Sequence, residues 1–217
     1  MKLVTRNLLY RKVGTSPTPP EPVVVVPLEI TKIYTLDYLI TTGQEAGVAD
    51  IAYNVSWDYI GQQDYGWSKC IGNQVGNSKW FLGCYRGGNL NPGTQYGEAG
   101  DMTLNIFSKA MYEATVQRRC LWKYGNGYLD VYRTSGDWIE GQLVGSNSSG
   151  NWTWEGLQGY PILISNGFGD SVWPLPLMFY GLRIYNQQGG NLVAEYIATV
   201  KDGVPGILNT MTQYFVS

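Results

Sequence analysis

Two tryptophans that lie two residues apart are the clearest candidates for binding chemistry in this sequence. The segment "NSSGNWTWEG" places Trp152 and Trp154 on one face of an extended chain. Indole rings offer flat apolar faces for stacking on sugar rings, and Asn151 and Glu155 can hydrogen-bond to hydroxyl groups. We therefore predict a glycan site at Trp152, Trp154, Asn151 and Glu155. The alternative is that both rings pack on a sheet face within a glycine-bounded hairpin.

Catalytic chemistry has little support in the sequence. The chain has no histidine, which removes Ser-His and Cys-His catalysis and most zinc sites. A retaining glycosidase needs two carboxylates about 5–5.5 Å apart, and positions i and i+2 of a strand would put both on one face. No acids have this spacing, and the nearest pairs, Glu98/Asp101 and Asp137/Glu140, are expected on opposite faces. Acids of different strands could still meet, but we predict no enzyme, no metal site and no cofactor.

Many short strands must position these residues. The 217 residues include 28 glycines, 17 tyrosines and 8 tryptophans, turn formers and aromatics that together are typical of an all-β chain. Gly125-Asn126-Gly127, between two tyrosines, predicts a tight hairpin. Trp57, Trp80 and Trp122 lie inside strand patterns and are expected in the core. Further strands are predicted in "YTLDYLITTG", "ADIAYNVSWDYI", "KWFLGCYRGG", "YPILISN", "LPLMFYGLRIYN" and "NLVAEYIATV".

The order of these segments resembles one known family. The closing "FYGLRIYNQQGGNLVAEYIATVKDGVPGILNTMTQYF" resembles the last strands of the concanavalin A-like lectin/glucanase jelly rolls found in phage structural proteins. The segments "DYLITTG", "KWFLGCYRGG" and "YPILISNGFG" resemble earlier strands of that family, in the right order. Ala198 and Asn209 depart from its usual proline and aspartate. The resemblance covers about residues 33–217. It implies an all-β, two-sheet antiparallel concanavalin A-like jelly-roll sandwich.

The N-terminal segment differs from the rest of the chain in charge. Residues 1–14 carry four basic residues and no acid, whereas the remainder has 11 basic residues and 17 acids. The following "TSPTPPEP" favours an extended polyproline II spacer. We therefore predict an extended N-terminal arm with an anchor peptide (1–14) and a proline-rich spacer (15–27), ahead of a jelly-roll domain (28–217). The residues expected to contact a partner are Leu3, Val4, Arg6, Leu8, Leu9 and Tyr10. The alternative is a disordered, solvated arm.

An anchor, a stiff spacer and a lectin-like head together resemble virion decoration proteins such as head fibres. We therefore predict a non-enzymatic phage virion structural protein that is assembled in the bacterial cytoplasm. Its arm would bind capsid proteins, and its head would adhere to glycans or host cells. A homo-oligomer is expected, with Val23–Val26 as the shared contact. The alternatives are a bacterial cell-surface carbohydrate-binding protein and, less favoured, a glucanase-type glycoside hydrolase.

Composition argues against several other classes of protein. Four basic residues in the arm of an otherwise acidic chain are too few for nucleic-acid binding. No apolar run approaches the 18 residues of a membrane span, and Arg6 and Arg11 interrupt any signal-peptide core. Cys70, Cys84 and Cys120 have no paired spacing and are expected as reduced, half-buried thiols.

Overall fold

The fold is built from β-strands. A computed structural model describes residues 23–41, 45–53, 66–72, 80–86, 90–93, 118–125, 128–147, 158–165 and 177–217. Every regular element within these ranges is a strand, and all strand pairs are antiparallel. The all-β, two-sheet prediction is therefore confirmed for the described residues.

Fourteen strands are described, and they form two sheets. In chain order they are β1 (Leu28–Ile30), β2 (Tyr34–Leu39), β3 (Ala46–Tyr53), β4 (Gly66–Gly72), β5 (Trp80–Arg86), β6 (Leu90–Gly93), β7 (Cys120–Gly125), β8 (Tyr128–Arg133), β9 (Leu143–Asn147), β10 (Pro161–Ile164), β11 (Leu177–Tyr185), β12 (Leu192–Lys201), β13 (Val204–Asn209) and β14 (Phe215–Val216). The large sheet has the order β14-β13-β12-β11-β3-β7-β8-β9, with β1 paired to β11, and the small sheet has the order β2-β10-β4-β5-β6.

Strand β11 shows how the sequence divides the two faces of the large sheet. Its burial alternates along "LMFYGLRIY", so that Phe179, Leu182 and Ile184 are buried in the core while Arg183 and Tyr185 are partly exposed on the other face. A register shift between Phe179 and Gly181 moves the buried positions from odd to even numbers.

Both sheets contribute to one hydrophobic core. Leu36, Ile71 and Ile162 come from the small sheet, and Ile51 and Trp122 come from the large sheet. Trp122 is only 2% exposed, as its strand pattern predicts. The side chains of the other two tryptophans expected in the core lie outside the described residues.

Two turns follow local sequence signals. Gly125 pairs with Tyr128 at the predicted hairpin between β7 and β8. At the β12–β13 turn, Asp202 and Gly203 both have left-handed backbones, with φ of 53° and 78°. This is the conformation that an Asp-Gly hairpin turn requires.

A polar junction centred on Asp37 connects the two sheets. The Tyr196 hydroxyl of β12 donates to Asp37 Oδ1 of β2 over 2.7 Å, and Asn209 Nδ2 donates to the same oxygen over 3.0 Å. Thr212 Oγ1 donates to Asp37 Oδ2 over 2.6 Å, and Tyr38 N donates to Tyr196 Oη over 3.0 Å. One carboxylate therefore joins β2 of the small sheet to β12 and β13 of the large sheet.

Acid should weaken this junction. Burial alone would raise the pKa of Asp37, but hydrogen bonds from Asn209, Thr212 and Tyr196 outweigh it and hold the pKa below its ordinary value of 3.8. A carboxyl whose pKa is lower in the folded than in the unfolded state contributes its full stabilisation above the unfolded-state pKa. That stabilisation is lost as the pH falls through the folded-state pKa. We expect the free energy of unfolding, measured in urea, to fall below about pH 3.8. The fall should be shallower in Asp37→Asn, and equal slopes would contradict the assignment.

Candidate functional site

A row of mostly polar side chains crosses the outer face of the large sheet. The strand register places six residues side by side, one on each of six neighbouring strands: Glu195 (β12), Arg183 (β11), Val48 (β3), Lys123 (β7), Asp130 (β8) and Ser146 (β9). Cross-strand partners point to the same face of a sheet. On the face opposite the core, this row therefore carries two cations, Arg183 and Lys123, and two anions, Glu195 and Asp130.

Neighbouring side chains pair most of these charges. Arg183 Nε and Nη2 lie 2.8 and 2.7 Å from Glu195 Oε1. Lys123 Nζ lies 2.8 Å from Glu140 Oε1, which belongs to the β8–β9 connection. Ser146 Oγ donates to Asp130 Oδ1. The row therefore presents both donors and acceptors with little net charge.

Two tyrosines border this row on one side. Tyr128 pairs in register with Gly125, and Tyr185 pairs with Ala46. The Tyr128 ring lies against Gly125, because a Cβ added there would be 2.4 Å from Tyr128 Cε1. Burial, together with the charges of Asp130 and Tyr185, raises the pKa of Tyr128 to about 12. Its hydroxyl is therefore protonated at neutral pH and able to donate a hydrogen bond.

The β8–β9 connection, residues 134–142, forms the opposite border. Its Trp138 has a left-handed backbone with φ of 60°. A Cβ at position 181 would lie 2.7 Å from Trp138 Cζ2, so the indole ring sits where only glycine leaves room. The Arg183 guanidinium lies 4.2 Å from the Trp138 ring centroid, in cation–π geometry. Gly181 and Arg183 of β11 thus position the indole.

A buried ion pair holds this connection on the sheet. Asp50 of β3 is 1% exposed and accepts from Arg119 Nε over 2.8 Å and from Nη2 over 2.6 Å. The Trp138 backbone N–H also donates to Asp50. Arg119 further binds Asp137 and stacks 4.1 Å from the Tyr180 ring centroid. Two consecutive residues of the connection are therefore bound to the Asp50–Arg119 pair.

The pKa values follow from this burial. Burial raises the pKa of Asp50 above its ordinary value, although the hydrogen bonds and charge of Arg119 oppose the rise. Burial would lower the pKa of Arg119, but Asp50 and Asp137 outweigh it and raise that pKa. Arg119 therefore remains a cation under all physiological conditions.

Between these borders lies a groove of about 290 Å³. Its floor is formed by the central part of the row and by Leu121. Its walls are formed by Tyr128, Tyr185, Trp138, Glu140 and Gln188. Aromatic walls with a few polar groups are typical of small-ligand sites. Because the charges are paired, the arrangement suits an uncharged ligand with many hydroxyl groups.

The glycan and anchor residues predicted from sequence remain untested. Trp152, Trp154, Asn151 and Glu155 lie outside the described residues, and so do Leu3, Val4, Arg6, Leu8, Leu9 and Tyr10. Strand β9 ends at Asn147, which pairs with Leu129, the neighbour of Tyr128 in the groove. The chain that leads to the predicted tryptophans thus leaves the described structure beside the groove.

Asp137 and Glu140 do not lie on a strand, so the expectation about them was wrong. Asp137 and Glu140 were expected on opposite faces of a strand, but residues 134–142 form no strand. Asp137 binds Arg119, the residue just before β7, and Glu140 binds Lys123 within β7. Arg119 and Lys123 are four positions apart, so along an extended chain their side chains project to the same side. Both acids therefore lie over the same face of the large sheet.

Sequence reasoning also missed Trp138. The cluster of turn residues before it, "TSGD", is a signal that could have marked an irregular segment carrying an aromatic ring. Its contacts with Asp50 and β11 depend on tertiary structure, so the sequence carries no local sign of them.

Other candidate chemistry is limited in the described part of the chain. These residues hold no group of three or more His, Cys, Asp or Glu side chains placed to bind a metal ion. They include no helix of the length and hydropathy that a bilayer crossing needs. Cys70 and Cys120 are fully buried rather than half-buried, and burial raises the pKa of Cys120 to about 12. Cys120 is therefore a structural thiol.

Comparison with known proteins gives no match: no family model, no curated protein and no solved structure matches this chain. The resemblance to concanavalin A-like domains therefore stays a prediction.

The two acids that share Arg119 should differ sharply in their effect on stability. Asp50→Ala leaves a largely buried cation without its main partner, and we expect a loss of about 3–5 kcal/mol. Asp137 is 50% exposed, so Asp137→Ala should cost less than about 1 kcal/mol. Urea denaturation of both variants measures the difference. Equal losses would show that the buried pair does not hold the connection in place.

Proposed function

We propose that this chain is a non-enzymatic glycan-binding protein displayed on a phage virion. The observation that carries the proposal is the groove on the outer face of the large sheet. Its three aromatic side chains, Tyr128, Tyr185 and Trp138, surround a row of paired charges. Aromatic faces can stack on sugar rings, and the paired side chains offer donors and acceptors to hydroxyl groups.

We propose a concanavalin A-like jelly-roll sandwich as the finer description of the fold. Two antiparallel sheets that share one hydrophobic core support it. So does the closing order β11, β12 and β13, in which consecutive strands are neighbours in the large sheet. The domain would begin near Leu28, where β1 starts.

The arm is proposed as the attachment to the particle. Residues 1–14 would bind other virion proteins, residues 15–27 would act as spacer, and the chain would assemble in the bacterial cytoplasm as a homo-oligomer. The basic charge of the anchor, opposite to that of the remaining chain, supports a dedicated contact. We propose no nucleic-acid partner and no membrane insertion.

Binding rather than hydrolysis is proposed for the groove. Two carboxylates line the groove. Asp130 accepts a hydrogen bond from Ser146, and Glu140 forms an ion pair with Lys123. Both carboxylates therefore already have partners within the protein. The alternatives are a bacterial cell-surface carbohydrate-binding protein, which would use the same groove, and a glucanase-type hydrolase.

Trp138 should contribute directly to glycan affinity. An aromatic contact is worth about 0.5–1.5 kcal/mol, so Trp138→Ala should weaken binding of a neutral oligosaccharide by about 3- to 10-fold. The ligand would be selected on a glycan array and titrated by calorimetry. Ile139→Ala is the matched control, because Ile139 is the next residue, is exposed and does not line the groove.

The same titration distinguishes two candidate glycan sites, the groove at Trp138 and the predicted pair Trp152 and Trp154. Unchanged affinity in Trp138→Ala, with at least about tenfold weakening in Trp152→Ala/Trp154→Ala, would move the site to the predicted tryptophans. Release of reducing ends that is lost in Asp130→Asn or Glu140→Gln would favour the hydrolase instead.

Deleting residues 1–14 should separate attachment from folding. Strand β1 begins at Leu28 and the described contacts begin at Val24, so the thermal melt should stay nearly unchanged. Incorporation into particles, measured as copy number by mass spectrometry, should be lost. Leu8→Asp should have the same effect, because an unpaired carboxylate in a docked interface costs several kcal/mol. Full copy number in the truncated protein would place the attachment on the folded domain.

A further inference from the structure

Val48 is the one apolar member of the row of six residues that crosses the outer face of the large sheet. Its register partners are two cations, Arg183 on β11 and Lys123 on β7. Val48 lines the groove and is partly exposed, whereas Ala46 and Asp50, its neighbours on the same face of β3, are only 3% and 1% exposed. The floor of the groove therefore has a small, accessible apolar position between two cations.

A sugar that carries only hydroxyl groups fits this position poorly. A hydroxyl held against Val48 would give up its hydrogen bonds to water, and a valine side chain offers none in return. A methyl group in the same place would instead remove apolar surface of both partners from water, which is favourable. The groove therefore favours a sugar that carries one apolar substituent.

A hydrogen-bond donor and an acceptor stand together beside Val48. Lys123 Nζ donates to Glu140 Oε1 over 2.8 Å. It makes no other hydrogen bond with the described residues, so two of its three N–H groups remain for a ligand. Glu140 is 48% exposed, and its second oxygen, Oε2, accepts no hydrogen bond from the described part of the chain. A donor and an acceptor side by side match the C=O and N–H groups of an amide.

We propose that the groove recognises N-acetylated sugars. The methyl group of the acetamido substituent rests on Val48, its carbonyl oxygen accepts from Lys123, and its N–H donates to Glu140 Oε2. The substituent is uncharged, as the paired charges of the groove require. A 6-deoxy sugar also presents a methyl group, but it has no amide to bond to Lys123 and Glu140. This inference rests on the proposed glycan-binding function and names the sugar class for the same site.

A glycan array of matched pairs tests the sugar class with the full chain. The two members of a pair share their linkages and differ in one substituent: oligomers of N-acetylglucosamine against oligomers of glucose, and oligomers of N-acetylgalactosamine against oligomers of galactose. We expect the N-acetylated member of the best-bound pair to bind about tenfold more tightly, because it adds a buried methyl group and an amide that forms hydrogen bonds. Calorimetry with that pair gives the ratio of the two dissociation constants.

Two substitutions test the residues that contact the acetamido group. Val48→Thr keeps the shape of the side chain but replaces a methyl group with a hydroxyl, so the ratio should fall to about threefold or less. Lys123→Met removes the donor to the carbonyl oxygen and should lower the ratio similarly. Val200→Thr and Lys201→Met are the matched controls, because both residues lie near the end of β12 and do not line the groove. The controls should keep the ratio of the native chain, and thermal melts should show all variants to be folded.

The outcomes separate this inference from the proposed function. Equal affinity for both members of every pair, or tighter binding of 6-deoxy sugars on the same array, would overturn the inference and leave glycan binding in place. A preference that persists unchanged in folded Val48→Thr would place the acetamido group elsewhere and would also overturn it. Binding to no glycan on the array would contradict the proposed function and this inference with it.

Discussion

The candidate site depends on a carboxylate that is buried on the outer face of a sheet. Asp50 points away from the hydrophobic core, yet it is 1% exposed. An unpaired charge in such a position would cost several kcal/mol. Arg119 and the backbone amide of Trp138 satisfy it. Because the β8–β9 connection both covers and pairs the charge, the connection has to lie across the sheet, and this places one wall of the groove.

The burial of Asp50 also explains the strained backbone of Trp138. A bulky side chain with a left-handed backbone costs about 1–3 kcal/mol and persists where its surroundings fix it. Trp138 is fixed in three ways: by its amide bond to Asp50, by the space above Gly181 and by the guanidinium of Arg183. The indole is thus held in place before any ligand arrives. A pre-organised wall lowers the entropic cost of binding.

Local signals were sufficient for much of the fold and insufficient for the site. The hairpin at Gly125–Tyr128 and the turn at Asp202-Gly203 were predictable because glycine, asparagine and aspartate favour left-handed backbones. The position of Trp138 depends on Asp50 and Gly181, residues distant in sequence that no spacing rule connects to it. Asp137 and Glu140 lie over one face for a related reason: odd spacing separates two faces only within a strand, and residues 134–142 form none.

Strand β12 connects the groove with the segment that follows the N-terminal arm. Strand β12 follows the turn that contains Gln188 and Gly189, two residues that line the groove, and it ends at Lys201. Ten residues of strand span about 30 Å. The groove therefore reaches one end of β12, while residues 1–22 join the chain at the other end. Trp138, which forms the other wall of the groove, lies over Gly181, and Gly181 pairs with Ile197 of β12, so the groove follows most of the length of that strand.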